Sequence, residues 1–255
     1  MDNYKRREFV KLSAIGFAGI ALQFNALSTY AQRANAHLGK WGAKTELNWD
    51  AFLEHISELA KTQHDLHWNQ KRYTRQVKRL LNHCNFPEFE NVKEVFENYE
   101  DKRENWFEAE RLHHEIDFQV YLFQFEKGEY IPPHDHPNMT GVLNVVSGNL
   151  LARNFDFIMD LAEIREVTYE TGYKVKLQKC VIKEVDNEIL TAGDVGILTA
   201  NEGNIRRIMP NEFTQMVDVF TPAYQEDTKA NWFNVNEEEF YQEQKKSYEA
   251  EYSIH

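Results

Sequence analysis

The stretch of sequence that decides the fold reads GEYIPPHDHP and occupies residues 128–137, with a further glycine, Gly148, downstream. In an extended segment, residues two apart point to the same face, so His134 and His136 project from one side of a strand. If that side faces the interior of a barrel, two neutral imidazoles can hold a divalent metal ion there. The alternative is a histidine pair that caps a surface loop, but the framing glycines and the Pro-Pro pair favour the strand.

The sequence around this stretch has the pattern of a β-protein from Phe118 onward. Short runs rich in β-branched and aromatic residues alternate with glycine-containing turns. Many short strands separated by turn signals favour an antiparallel sandwich or barrel. The runs expected to form strands are 118–125, 142–146, 149–155, 164–169, 175–185, 195–198, 205–209 and 215–220.

A different pattern precedes the β-rich part. Between Trp49 and Cys84, apolar residues recur at helical spacings among many charges, and the first Gly or Pro after Trp49 is Pro87. This pattern predicts one or two amphipathic helices. We also expect residues 85–116 to be helical in part, and the acidic, tyrosine-rich residues 237–252 to form a helix.

The first 36 residues have the pattern of an export signal. A basic segment with Arg6 and Arg7 precedes a mildly apolar stretch at 12–24, and small-residue cleavage sites follow at Ala31 and Ala36. The segment resembles a twin-arginine signal. That resemblance implies that the twin-arginine export machinery carries the folded protein to the periplasm or the cell exterior.

Composition and charge restrict the remaining possibilities. The chain has 255 residues, a net charge of -12 and a mean hydropathy of -0.65, which suit one large globular domain. No apolar run reaches the ~18 residues of a membrane helix, so we expect no membrane span and no stable membrane association. An acidic surface repels phosphate backbones, which excludes nucleic acid as a partner. The two cysteines, Cys84 and Cys180, lack the spacing of a metal site.

The spacing of Gly128, the two histidines and Gly148 is similar to the first motif of the cupins. Five stretches extend this similarity: IPPHDHPNMT at 131–140, VVSGNL at 145–150, GDV at 193–195, GNI at 203–205 and VDVFTPAY at 217–224. Together they resemble the thiol dioxygenases of the cysteamine dioxygenase and plant cysteine oxidase family. The resemblance implies a mainly β fold, a cupin-type antiparallel β-barrel (double-stranded jelly roll) with N-terminal amphipathic helices.

These observations divide the chain into four parts. The twin-arginine signal peptide occupies residues 1–36, and a helical segment packed on the barrel occupies 37–117. The cupin barrel is expected at 118–234, and an acidic tail at 235–255 completes the chain.

The family resemblance also implies a chemistry. Its members hold a mononuclear iron, Fe(II), with three histidines, and a small thiol and O2 react there to give a sulfinic acid. His134 and His136 match the first two ligands. The third does not match, because Arg206 stands where the family has its last histidine, and a guanidinium offers no lone pair to a metal. The family's cysteine near the C-terminal end is also unmatched, since residues 231–233 read NWF.

Three interpretations of Arg206 follow. The metal could be held by the two histidines and a substitute ligand, for which the candidates are Glu202, Asn204 and Asp218. The metal site could instead be lost, leaving an anion-binding pocket with Arg206 as its cation. A shifted alignment cannot supply a histidine, because none occurs between residue 136 and His255.

Two functions therefore remain open on the sequence alone. The first is an exported thiol dioxygenase-like enzyme that oxidises a cysteine- or cysteamine-like thiol, with Arg206 as a catalytic residue that orients an acidic group of the substrate. The second is a non-catalytic cupin that binds a small acidic ligand or a partner protein.

Other histidines are weaker candidates for a site. The adjacent pair His113 and His114 is expected to be solvated in a charged helical stretch. His64 and His67 could share a helix face, but no third zinc ligand lies near them in the sequence. His37 would become a terminal copper-binding residue only if cleavage followed residue 36.

Overall fold

The computed structural model describes residues 46–89, 108–168, 174–225, 229–242 and 245–254. The predicted signal peptide lies outside the described residues. None of the described helices combines the length and the apolar content that a membrane-spanning helix requires. In the described part of the chain, both cysteines are free thiols.

Two amphipathic helices form the N-terminal layer, as the sequence predicts. Helix α1 is Trp49–Ala60 and helix α2 is Gln70–Leu81, with a 3-10 turn at Lys61–His64 between them. Each begins with an asparagine cap, because Asn48 and Asn69 accept hydrogen bonds from backbone amides of the first helical turn. The buried faces pack on the sheet through an apolar cluster that includes Phe52, Ile56, Leu59, Val77, Leu80, Phe118, Val120 and Val217.

Eleven strands follow in the described part of the chain. Their bounds are β1 (Glu108–His114), β2 (Gln119–Phe125), β3 (Ile131–Asp135), β4 (Thr140–Ser147), β5 (Asn149–Thr168), β6 (Lys174–Thr191), β7 (Val195–Leu198), β8 (Ile205–Pro210), β9 (Thr214–Thr221), β10 (Phe233–Gln242) and β11 (Ser247–Ile254).

The strands form two antiparallel sheets that enclose a common core. The first sheet has the order β1-β2-β9-β4-β7, and the second has the order β10-β11-β6-β5-β8-β3. Side chains from both sheets meet in one apolar cluster, for example Leu143 and Val145 from the first and Leu150 and Ile208 from the second. This arrangement confirms the predicted cupin-type antiparallel barrel with N-terminal amphipathic helices.

Two helix expectations fail among the described residues, whereas residues 90–107 of the first lie outside them. Within residues 85–116, the described C-terminal part is strand β1, which pairs with β2. Residues 237–252 lie in β10 and β11 rather than in a helix, and β11 pairs with β6 along its whole length. In β11, Tyr248 and Ala250 are buried whereas Glu249 is exposed, which is the two-residue period of a half-buried strand. The sheets therefore extend beyond residues 118–234 at both ends.

Candidate active site

The two histidines of the motif lie side by side between the sheets. His134 belongs to β3, His136 follows the end of that strand, and their ring centroids are 4.6 Å apart. Their exposed fractions are 9% and 3%. His134 lies opposite Arg206 in the β3–β8 ladder, and Arg206 lies opposite Asn154 of β5. The structure thus brings together the three residues that the sequence predicts for the site.

The orientation of His134 is fixed from two sides. Its Nδ1 donates a hydrogen bond of 2.8 Å to the carbonyl oxygen of Pro132, so the neutral ring carries its lone pair on Nε2. The ring stacks on Trp232, with centroids 4.7 Å apart and planes inclined by 25°. Burial lowers the pKa of His134 to about 4, and the charge of Arg206 contributes in the same direction. The imidazole is therefore neutral near pH 7 and able to donate its lone pair.

His136 is also held as a neutral ring. Its Nδ1 is hydrogen-bonded at 2.5 Å to the hydroxyl of Tyr224, and its ring stacks on Phe220 of β9. Burial lowers the pKa of His136 well below its usual range, and the proximity of His134 and Arg206 lowers it further. A hydrogen bond at Nδ1 leaves Nε2 as the nitrogen that faces a ligand.

A side chain from the loop before β8 fixes the backbone at His136. The amide oxygen of Asn204 accepts a hydrogen bond of 3.0 Å from the His136 backbone N–H, and its Nδ2 donates to the His136 carbonyl at 2.9 Å. Asn204 Nδ2 also donates to the Thr199 carbonyl. The glycine-containing turn GNI at 203–205, noted in the sequence, therefore ties β8 to the histidine motif.

The stretch in the place of the family's cysteine packs against β3. Asn231 donates from its backbone N–H and from Nδ2 to the two carboxylate oxygens of Asp135, both at 2.7 Å. Trp232, the next residue, forms a β-bridge with His134 besides stacking on its ring. A tryptophan thus covers the first imidazole.

Arg206 is the cation of the site. It is only 2% exposed; its Nε donates to Asn154 Oδ1 at 3.1 Å, and its Nη1 lies 3.5 Å from Asp218 Oδ2. Burial raises the pKa of Asp218 to about 6, although the guanidinium partly offsets this effect. Burial lowers the pKa of Arg206, but a guanidinium starts so high that it stays charged at neutral pH.

Three buried atoms of this site have unused hydrogen-bonding capacity. They are Nε2 of His136, Nη2 of Arg206 and Oδ1 of Asp218, none of which has a hydrogen-bond partner in the part of the chain that the structure describes. We call them the open polar atoms. Leaving a buried polar group without a partner costs about 1–3 kcal/mol, so three in one place indicate a site that receives a ligand.

The structure separates the three candidate substitute ligands. Glu202 lies at the surface, with its side chain 59% exposed and paired with Lys71 at 2.8 Å. Asn204 uses its amide to hold His136. Asp218 is in the site, but its nearest charged neighbour is Arg206. Among the described residues, no group of three or more His, Cys, Asp and Glu side chains is arranged to hold a metal ion.

The side chains present fit an iron centre in part. The Nε2 lone pair of His134 is a suitable donor for a divalent metal, and so is the open Nε2 of His136 in the tautomer whose Nδ1–H donates to the Tyr224 oxygen. Arg206 does not fit the third position, because it is a permanent cation without a lone pair. The two imidazoles therefore fit the metal, and the three-histidine set of the resemblance is incomplete.

The other histidines do not join this site. His64 pairs with Asp117 at 2.6 Å, and His67 is exposed. His113 and His114 lie in strand β1 rather than in a helix, and the ring of His113 stacks on Phe118 instead of being fully solvated. His37 lies outside the described residues.

Several residues of the site were not singled out by sequence reasoning. Tyr224 and Phe220 fall within the stretch 217–224 that carries the family resemblance, so a signal existed for them. Trp232 was noted only as standing where a cysteine was expected. Asn154 had no signal, because its contact with Arg206 depends on the register between β5 and β8.

Comparison with known proteins identifies the family. The model of the family described as PCO_ADO matches residues 64–254, well over half of the chain. The chain belongs to the PCO_ADO family. This is a thiol dioxygenase family, so the resemblance read from the two-histidine motif is confirmed at the level of the family, and the protein is a thiol dioxygenase-like cupin.

Individual relatives are distant. A probable 2-aminoethanethiol dioxygenase of Dictyostelium discoideum is 28% identical over 108 residues, which cover 42% of this chain and 45% of that protein. The matched region thus spans less than half the length of this relative.

Solved structures with similarity to this PCO_ADO member include KdgF from Halomonas sp., at 16% identity and a TM-score of 0.33, covering 50% of this chain and 89% of that one. A protein with a double-stranded β-helix domain from Klebsiella pneumoniae subsp. pneumoniae is 16% identical, with a TM-score of 0.34. The similarity covers 55% of this chain and 96% of that one. The fold assignment rests on the strand pairing rather than on these scores.

Proposed function

We propose that this PCO_ADO protein oxidises a small cysteine- or cysteamine-like thiol with O2 to a sulfinate. In that reaction the thiol sulfur gains both atoms of O2, so that RSH and O2 give RSO2H. The observation that carries the proposal is the pair of buried, neutral imidazoles of His134 and His136, 4.6 Å apart in the positions of the family's first two ligands.

The proposal assigns an iron to these two side chains. Fe(II) held by His134 and His136 would activate O2 and bind the thiol as a thiolate. The protein's own contribution is to keep both rings neutral and oriented. The Pro132 carbonyl fixes the protonated nitrogen of His134, and the Tyr224 hydroxyl holds Nδ1 of His136. Burial between the sheets excludes bulk water from the reacting groups.

A second function is favoured by one specific observation. Arg206, a buried cation with an open Nη2, occupies the place of the third ligand, which suits an anion better than it suits a metal. The alternative proposal is therefore a non-catalytic cupin that binds a small acidic molecule or an acidic partner.

Measuring thiol-dependent oxygen uptake tests the proposed function. The protein is loaded anaerobically with Fe(II) and mixed with O2 and either cysteine or cysteamine, and the product is examined by mass spectrometry. We expect oxygen uptake with a product 32 mass units heavier than the thiol, since two oxygen atoms are added. The His134→Ala/His136→Ala variant should be inactive, and the exposed His67→Ala variant is the matched control that keeps activity. No uptake by the iron-loaded wild type would favour the second function.

We further propose that the twin-arginine machinery exports the protein to the periplasm or the cell exterior, and that the signal peptide at residues 1–36 is then removed. Its partners there are the small thiol and O2, without nucleic acid and without stable membrane association. The residues that support this proposal are Arg6 and Arg7, followed by the apolar stretch at 12–24.

A further inference from the structure

We infer that the substrate of this site is a thiol that also carries a carboxylate, and that Arg206 binds that carboxylate. The inference rests on the proposed thiol oxidation and adds to it the chemical class of the substrate. It separates this protein from its distant relative, whose name specifies an aminothiol without an acidic group.

The guanidinium of Arg206 has hydrogen-bonding capacity left for a ligand. Its Nε is engaged by Asn154, and its Nη1 faces Asp218, whereas Nη2 is one of the open polar atoms. The 3.5 Å separation from Asp218 is long, because charge-assisted N–H···O hydrogen bonds are usually about 2.7–2.9 Å. Arg206 is therefore a buried cation whose present counter-ion does not satisfy it, and a ligand carboxylate would supply the missing acceptors.

The position of Arg206 places a bound carboxylate next to the imidazoles. Arg206 is directly opposite His134 in the β3–β8 ladder, and residues opposite each other have Cβ atoms about 5 Å apart. A carboxylate on the guanidinium would thus leave a thiol two or three carbons away within reach of the histidine pair.

A cleft lies beside Asn154, and Arg206 and the two histidines are not among the residues that line it. The cleft has a volume of about 560 Å³ and lies between α2 and the strands β5, β6 and β7, with Asn154, Thr199 and Gly203 in its wall. Asn154 is the residue that holds Nε of Arg206. The side chain of Asn154 therefore separates the cleft from the guanidinium of Arg206.

The charge of the ligand decides which thiol fits. A thiol that carries a carboxylate gains a charge-assisted contact with Arg206, whereas an ammonium group placed there is repelled. Asp218 has an open Oδ1 and attracts an ammonium group. A thiol that carries an ammonium but no carboxylate is therefore an essential comparison. Three thiols separate these effects: 3-mercaptopropionate has only the carboxylate, cysteamine has only the ammonium, and cysteine has both.

Calorimetric titration of the three thiols, under anaerobic conditions and with both metal-free and Fe(II)-loaded protein, tests the inference without any turnover. We expect 3-mercaptopropionate and cysteine to bind at least about tenfold more tightly than cysteamine, because only the first two gain a charge-assisted hydrogen bond to Arg206. Arg206→Gln should abolish this preference. Asp218→Asn, which removes the competing carboxylate, should strengthen the binding of 3-mercaptopropionate.

The outcomes discriminate between the two proposals. Equal or tighter binding of cysteamine by the wild type, an unchanged preference in Arg206→Gln, or no binding of any of the three thiols would overturn the inference. If Arg206→Gln does not fold, the inference is tested by the preference of the wild type among the three thiols and by the effect of Asp218→Asn on the binding of 3-mercaptopropionate. Carboxylate-dependent binding without oxygen uptake would refute the oxidation and leave Arg206 as the anion site. Oxygen uptake with a preference for cysteamine would support the oxidation and refute the carboxylate binding by Arg206.

Discussion

Arg206 lies directly opposite His134 in the β3–β8 ladder. This pairing places a guanidinium at the position where the PCO_ADO resemblance predicts the third imidazole, next to two neutral histidines. The same guanidinium lies 3.5 Å from the carboxylate of Asp218 in β9, so that the centre contains an ion pair as well as a potential metal site. The consequences of this arrangement can be measured.

Replacing Arg206 by histidine should strengthen iron binding. The change removes a buried cation and adds a neutral nitrogen donor opposite His134, so we expect the dissociation constant for Fe(II) to fall at least about tenfold. Anaerobic titration with Fe(II) measures it. Arg206→Gln is the matched control, because it removes the charge without adding an imidazole. An equal effect of both substitutions would show that the charge, and not a missing ligand, limits iron binding.

The stability of the protein should depend on the ionisation of Asp218. Its pKa of about 6 in the folded protein is above the ordinary value of 3.8, and Arg206 is the charged group that faces it. A raised carboxyl pKa contributes stability below about pH 4, and this contribution is lost as the pH rises through 6. The asparagine of Asp218→Asn does not ionise, so the stability of this variant lacks this dependence on pH.

Denaturant unfolding of the wild type and of Asp218→Asn at pH 4 and pH 7.5 measures the effect. The free energy of unfolding of the wild type, relative to the variant, should fall by about 2–3 kcal/mol between these pH values, as a rise in the pKa of Asp218 from 3.8 to about 6 implies. A difference between the two proteins that stays constant with pH would contradict the raised pKa.

Gly148 should be indispensable to the barrel. It has a φ of +78°, and an added Cβ would collide with the Phe213 carbonyl oxygen and lie 2.9 Å from Thr214 Cα. Gly148→Ala must therefore shift backbone, and we expect a loss of stability of about 3 kcal/mol or more. Gly128→Ala is the control, since Gly128 also has a positive φ but an added Cβ meets no described atom within 4 Å. That change should cost only about 1–2 kcal/mol in a thermal or denaturant melt. Similar losses for both would refute the close approach at Gly148.

Export should depend on the arginine pair. Changing both Arg6 and Arg7 to lysine keeps the positive charge but removes the two guanidiniums that a receptor reads. We expect the variant to stay inside the cell in a fractionation experiment, and Lys5→Arg, which leaves the pair intact, to be exported normally. Normal export of the double lysine variant would rule out the twin-arginine signal.

Much of the fold follows from local sequence patterns. The helical spacing of Phe52, Ile56 and Leu59 predicts α1, and the glycine-punctuated runs after Phe118 predict most strands of the barrel. The C-terminal strands were missed because their charged, tyrosine-rich composition suggests a solvated helix. Only the alternation of buried Tyr248 and Ala250 with exposed Glu249 reveals a strand, and that burial requires the neighbouring β6.

The site is less predictable than the fold. His134 and His136 were predicted to lie together because residues two apart share a face of a strand. The pairing of Arg206 with Asp218 depends on two strands from different sheets, and the contact of Tyr224 with His136 joins residues 88 positions apart. Local spacing carries no information on such contacts, since they are fixed by sheet register and by packing between the sheets.

The central claim is that the histidine pair forms the metal site of a thiol dioxygenase-like protein, and equilibrium binding of Fe(II) under anaerobic conditions tests it most directly. We predict about one equivalent of Fe(II) per wild-type chain, and less than about a tenth of an equivalent in His134→Ala/His136→Ala with an unchanged circular dichroism spectrum, because the core of the barrel is apolar and does not depend on the ion. Less than about a tenth of an equivalent in the wild type, or equal binding by the double variant, would contradict the claim.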